Sequence, residues 1–98
     1  MSELDFLVKP HLITSLALDI AKLLAHGAPM PQDLDVAPLL ENWNLGMTRR
    51  APALTGIVSG HPKIEDGTLH SSELMIIDPS RRWARTLSRF YLLGAKAP

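Results

Sequence analysis

The chain has no cysteine. That removes disulfides, thiolate zinc sites and thiol catalysis together. It lacks net charge, with ten Lys and Arg balancing ten Asp and Glu. It also lacks a long apolar run. The most apolar helical stretch is broken by Asp19 and Lys22, too short and too charged for a bilayer span. Glu3 and Asp5 stand where a signal peptide would carry positive charge. The six glycines are scattered as turn and cap residues, so no phosphate-cradling loop is present. His11, His26, His61 and His70 show none of the HxH, HxxxH or HExxH spacings of a metal site. These absences point to a cytoplasmic protein with no cofactor, no metal and no membrane association.

What is present is one domain's worth of chain, residues 1–98, with 46% hydrophobic content. A chain this short buries roughly two-thirds of its unfolded surface at most. Its charges are segregated. Residues 1–48 hold two basic against six acidic residues, net −4, and residues 49–98 hold eight against four, net +4. The two halves either attract each other across the fold or form an interaction surface.

Residues 53–94 organise the rest. Three segments rich in β-branched and aromatic residues are separated by turn clusters at 60–67 and 78–81, the pattern of an antiparallel meander. Upstream, Ser2 and Asp5 fit a capping box for a short helix through Phe6, Leu7 and Val8. Pro10 breaks it and starts a longer helix, Pro10–His26. Leu12, Ile13, Leu16, Ala17, Ile20, Leu23 and Leu24 recur along that helix at three- and four-residue spacing. This stripe is expected to pack on the sheet, or else on a partner's helix. Gly27 suits the left-handed position after the helix end. Asp33 or Asp35 is expected to cap a second short helix carrying Val36, Leu39, Leu40 and Trp43, ended by Gly46, with Trp43 anchoring the core.

The first strand is expected over 53–59, with Gly56 marking a bulge or a close helix approach. His61 is expected to hold the Gly-His-Pro turn by hydrogen bonds, and Ile64 to fold back onto the core. A second strand follows over 68–77. Leu69 and Leu74 lie on opposite parities there, which a bulge near Ser71 and Ser72 would reconcile. Residues 82–93 suit a strand, although Trp83, Leu87, Phe90 and Tyr91 also fall at helical spacing. The fold class is therefore α+β. N-terminal helices over 1–46 pack on a small antiparallel β-meander or half-barrel over 53–94.

The run Leu54-x-Gly56-x-Val58-x-Gly60-His61-Pro62, then Asp66-Gly67, Ser72, Asp78, Trp83-Ala84-Arg85-Thr86-x-Ser88-Arg89 and Tyr91-x-Leu93-Gly94, resembles small bacterial proteins classed as a domain of unknown function. Ala37-Pro38 and Asn42-Trp43 fit the same pattern. The resemblance covers roughly 34–94, leaves the N-terminal helix uncovered and implies no activity.

No enzymatic constellation stands out. Residues 56–60 place serine off-centre for a nucleophile elbow, and Ser71-Ser72 beside His70 is no stronger. Glu65, Asp66 and Glu73 have no acid/base arrangement. The best functional signal is basic: Arg85 and Arg89 share a strand face with Trp83, Leu87 and Tyr91, joined by Arg81, Arg82, Arg49 and Arg50. Such a set can bind phosphates and bases, or grip an acidic protein surface. The expected function is a non-catalytic binding or regulatory protein acting through macromolecular contacts. One version is a protein-directed inhibitor or adaptor, such as a phage- or plasmid-borne antagonist of a host defence complex. The other is a small nucleic-acid regulator. Homodimerisation through the helix stripe or a sheet edge suits a core this small.

Overall fold

The computed structural model describes residues 10–48 and 51–98. Helix α1 spans Pro10–His26 and α2 spans Pro31–Asp35. Five strands follow: β1 Leu39–Met47, β2 Pro52–Ser59, β3 Gly67–Ile77, β4 Trp83–Thr86 and β5 Phe90–Leu93. Each strand pairs antiparallel with the next, and β5 returns to β1 in parallel through Leu39–Leu92 and Leu40–Leu93. The sheet thus closes into a barrel instead of remaining a meander or half-barrel. Closure leaves no unpaired sheet edge, which a short chain would otherwise have to protect. The segment after β5 runs on beside β1: Trp43 N–H donates to Ala95 O at 3.3 Å and Ala97 N–H to Trp43 O at 2.8 Å.

The expected second helix through Trp43 is instead strand β1, so the sheet reaches into the part read as helical. A bulge explains the misleading spacing. Between Glu41 and Asn44 the β1–β2 register slips, and Asn42 takes φ 51°. The extra residue turns Leu40 and Trp43, three apart, into the same interior, where alternation would separate them. Gly56 of β2 lies opposite this kink. A Cβ there would meet Glu41 O at 2.8 Å and the Leu40 side chain at 3.0 Å, so the close approach is of a strand, not a helix.

The barrel interior is filled by Leu40, Trp43, Leu54, Val58, Ala84, Tyr91 and Leu93, with Leu69, Leu74 and Ile77 packed against them. Trp43 anchors it as expected, its indole N–H donating to Gly94 O at 2.9 Å. The expected bulge at Ser71-Ser72 is present: Ala53 faces Glu73 while Thr55 faces His70. Ser71 Oγ accepts the Leu54 N–H at 2.8 Å and donates to Ser72 O at 2.7 Å, filling the gap the bulge leaves in the ladder. Residues 82–93 are strand in character but split in two. Thr86 N–H bonds Arg89 O at 2.9 Å and Thr86 Oγ1 bonds the same oxygen at 3.2 Å, folding the chain back between β4 and β5. Ile64 is 43% exposed and does not fold onto the core.

Helix α1 has the expected bounds, and Gly27 follows it at φ 76° with its N–H on Leu23 O. Its packing is not as expected. None of its residues is buried, and its backbone approaches no strand along any length. Ile13 and Leu24 of the stripe are 54% and 84% exposed. Helix α2 is one short turn started by Pro31. The Ser2 cap and the helix through Val8 lie outside the described residues.

Candidate partner-binding surface

The six arginines do not form one face. Arg49 and Arg50 lie outside the described residues. Arg85 has no exposed surface, so it does not project beside Arg89 as expected from strand parity. Strand β4 is buried along its whole length. Ala84 faces the interior, while Arg85 pairs in register with Phe90 and lies 5.4 Å from the centre of its ring. Its guanidinium Nε and Nη2 each lie 2.9 Å from Asp19 Oδ2 on α1, Nη2 reaches Ser15 Oγ at 3.4 Å, and Nη1 donates to Thr86 O. One acidic side chain of the N-terminal half is thereby spent on one basic side chain of the C-terminal half. The aromatic members of the expected face are also withdrawn. Trp83 and Phe90 stack edge to face, 5.9 Å between centres, and both are buried, as is Tyr91.

Arg81 and Arg82 are exposed on the β3–β4 turn, where they serve the turn itself. Asp78 is buried and accepts the Ser80 and Arg82 N–H groups, at 3.2 and 3.1 Å, and Arg82 Nε at 3.1 Å. Burial pushes the Asp78 carboxyl up, but those N–H groups and the Arg82 guanidinium outweigh it and hold its pKa below the usual value. Arg81, at φ 61°, returns its guanidinium to Asp78 O at 3.1 Å.

Arg89 is different. It is half-buried on the β4–β5 turn, and its guanidinium makes no ion pair among the described residues. Lys63 is exposed and equally without an ion pair there. The charges of both act on His61 in the β2–β3 loop. His61 Nδ1 accepts the Lys63 N–H at 3.0 Å, which fixes the ring as the turn required and leaves Nε2 as the nitrogen that carries the proton of the neutral ring. The ring sits 6.2 Å from the Tyr91 ring. Burial first, and then the charges of Arg89 and Lys63, hold its pKa below the usual histidine value. Tyr91 is pushed up by burial, against the opposing pull of Arg89. The result is a basic rim of Arg89, Lys63 and His61 at one end of the barrel. Asp66 in the same loop turns its Oδ1 to the backbone, accepting the Gly60 N–H at 3.1 Å. Beside the rim a cleft of about 250 Å³ runs between the helices and the β4–β5 turn, lined by Ser15, Asp19, Asp33, Arg85 and Arg89 among others.

Sequence reasoning singled out Arg89 but missed Lys63, because the β2–β3 loop and the β4–β5 turn that bring their charges to bear on His61 lie far apart in sequence. His70 pairs with Thr55 and His61 with the Tyr91 ring, so these two histidines have different neighbours. Among the described residues no three His, Asp or Glu side chains group as metal ligands, and no helix is long and apolar enough to cross a membrane.

A closed five-strand barrel with a filled interior, preceded by a helix tethered through Asp19, makes this a small α+β protein. By sequence the chain belongs to DUF6634, a family of unknown function whose model matches residues 15–97. The match takes in most of α1, which the motif resemblance left out. No curated protein and no solved structure gives a match.

Proposed function

We propose that this is a non-catalytic binding protein that contacts an acidic protein surface through the basic rim of Arg89, Lys63 and His61. The observation that carries the reading is that Arg89 and Lys63 stand beside the neutral His61 ring with no carboxylate paired to either among the described residues, while Arg85 and Arg82 each have one. The filled barrel interior supports it too, since small barrels packed with side chains leave no internal ligand cavity. A protein partner is favoured over nucleic acid because Trp83, Phe90 and Tyr91 are buried and cannot stack on bases. An inhibitor or adaptor acting on a protein complex fits this reading.

The test is the double variant Lys63→Glu with Arg89→Glu. Affinity capture on the wild-type chain identifies the partner by mass spectrometry, and calorimetry with the purified partner measures the change. The double variant should fold normally and bind at least about tenfold more weakly, equivalent to about 1.4 kcal/mol. Unchanged affinity would remove the rim from the interface. Oligonucleotide binding that falls steeply with salt, and is lost in the same variant, would move the reading to nucleic acid.

A further inference from the structure

The apolar stripe of α1 has an internal symmetry. Counting outward from Leu18 in both directions, Leu16 matches Ile20, Ile13 matches Leu23, and Leu12 matches Leu24. The polar positions match uncharged residues: Lys22 with Thr14, His11 with Ala25, Asp19 with Ala17. At about 100° per residue the six aliphatic positions fall within an arc of about 120°, one continuous stripe. Leu12, Leu16, Ile20 and Leu23 are half-buried, and Ile13 and Leu24 are exposed. We infer that α1 is the contact of a homodimer, in which two copies of the helix pack antiparallel about a two-fold axis between Leu16 and Ile20.

A two-fold contact requires one surface to complement itself, and the matched pattern supplies that. It sets aliphatic against aliphatic at all six positions and no charge against a like charge. Lys22 is the only full charge on α1 besides Asp19, which Arg85 already holds. A surface built to select an unlike partner would carry a charge pattern for it; this one carries none. Size sets the strength. The residual exposure of the stripe on two copies comes to on the order of 1,000 Å², the lower bound for a specific interface. The dimer is therefore weak and concentration-dependent. No residue of the stripe belongs to the basic rim, so dimerisation and partner capture fail or stand separately.

Sedimentation velocity on the full chain, from micromolar to submillimolar concentration, should show a monomer–dimer equilibrium. Ile13→Glu and Leu24→Glu change exposed positions and should weaken it by more than about tenfold, because each buries an unpaired charge. Near-UV circular dichroism from Trp43 and Trp83 checks that the barrel persists. Orientation is read by cross-linking, since the chain has no cysteine of its own. Leu12→Cys chains mixed with Leu24→Cys chains should form a disulfide-linked pair under oxidation. Leu24→Cys chains alone should not, because in an antiparallel pair their positions lie about 18 Å apart along the axis, beyond disulfide reach. A monomer at every concentration, a dimer indifferent to both Glu variants, or efficient cross-linking of Leu24→Cys to itself would each overturn the proposal.

Discussion

The barrel and helix α1 are built from comparable stretches of aliphatic residues and hold them in opposite ways. In the barrel, Leu40, Leu54 and Val58 have no exposed surface and Trp43 has 2%. In α1 no residue is buried, and the described polar link to the barrel is Asp19 and Ser15 on Arg85. Periodicity identifies an apolar face but not what covers it. Closure of the sheet decides that here, because a barrel that fills its own interior does not need the helix as a lid.

The sharpest way to break the comparison is to delete side-chain volume on each side of it. Trp43→Ala should cost about 3–5 kcal/mol, through lost transfer energy and the cavity left among Leu40, Leu54 and Leu93. That is a large share of the ~5–15 kcal/mol available to a small domain. Leu24→Ala should change stability by less than about 0.5 kcal/mol in the monomer, as for other exposed positions. Urea unfolding followed by far-UV circular dichroism at low protein concentration measures both. Similar losses in the two variants would mean that α1 is part of the cooperative core.

Much of the barrel was legible in the sequence. The β-branched and aromatic content of the segments and the turn residues between β2 and β3 mark the strand positions, and the clash of parity between Leu69 and Leu74 called for the bulge that is found at Ser71-Ser72. The misreading of β1 has the same physical source with the signs reversed. Its bulge at Asn42 gives Leu40 and Trp43 a three-residue spacing, which is also the spacing of a helix face. Local pattern alone does not separate the two. The candidate site was less legible. Arg85 and Arg89 share strand parity, but a turn at 87–89 divides them and Asp19, far away in sequence, closes over the first. Such long-range pairing leaves no local signal.

The tether between the two regions gives a smaller, local effect. Asp19→Asn removes the carboxylate from a guanidinium whose side chain is 1% exposed. In a sealed core the stranded charge would be very costly, but α1 can move aside and let water reach Arg85. The loss should therefore be that of a hydrogen bond to a charged group, about 1.5–3 kcal/mol. It should appear as lost amide protection in α1 with the barrel amides unchanged. Hydrogen exchange by NMR reads both regions at once, and equal loss in both would mean that helix and barrel open together.

The smallest effect lies in the β3–β4 turn. Arg82 pairs with Asp78, but its side chain is 76% exposed. Solvent screens such a pair, so Arg82→Ala should cost less than about 1 kcal/mol at neutral pH. Asp78 matters more through the Ser80 and Arg82 N–H groups that it accepts, which the alanine variant keeps. Because its folded pKa is depressed, Asp78 contributes stability that is fully present above its unfolded value. That contribution fades as the pH falls through the folded one, below about 4. Asp78→Asn should remove this dependence as well as some stability, whereas Arg82→Ala should retain most of it. Thermal melts of the three proteins across that acid range separate the contributions. An Arg82→Ala curve that coincides with Asp78→Asn would place the stabilisation in the exposed guanidinium and not in the turn.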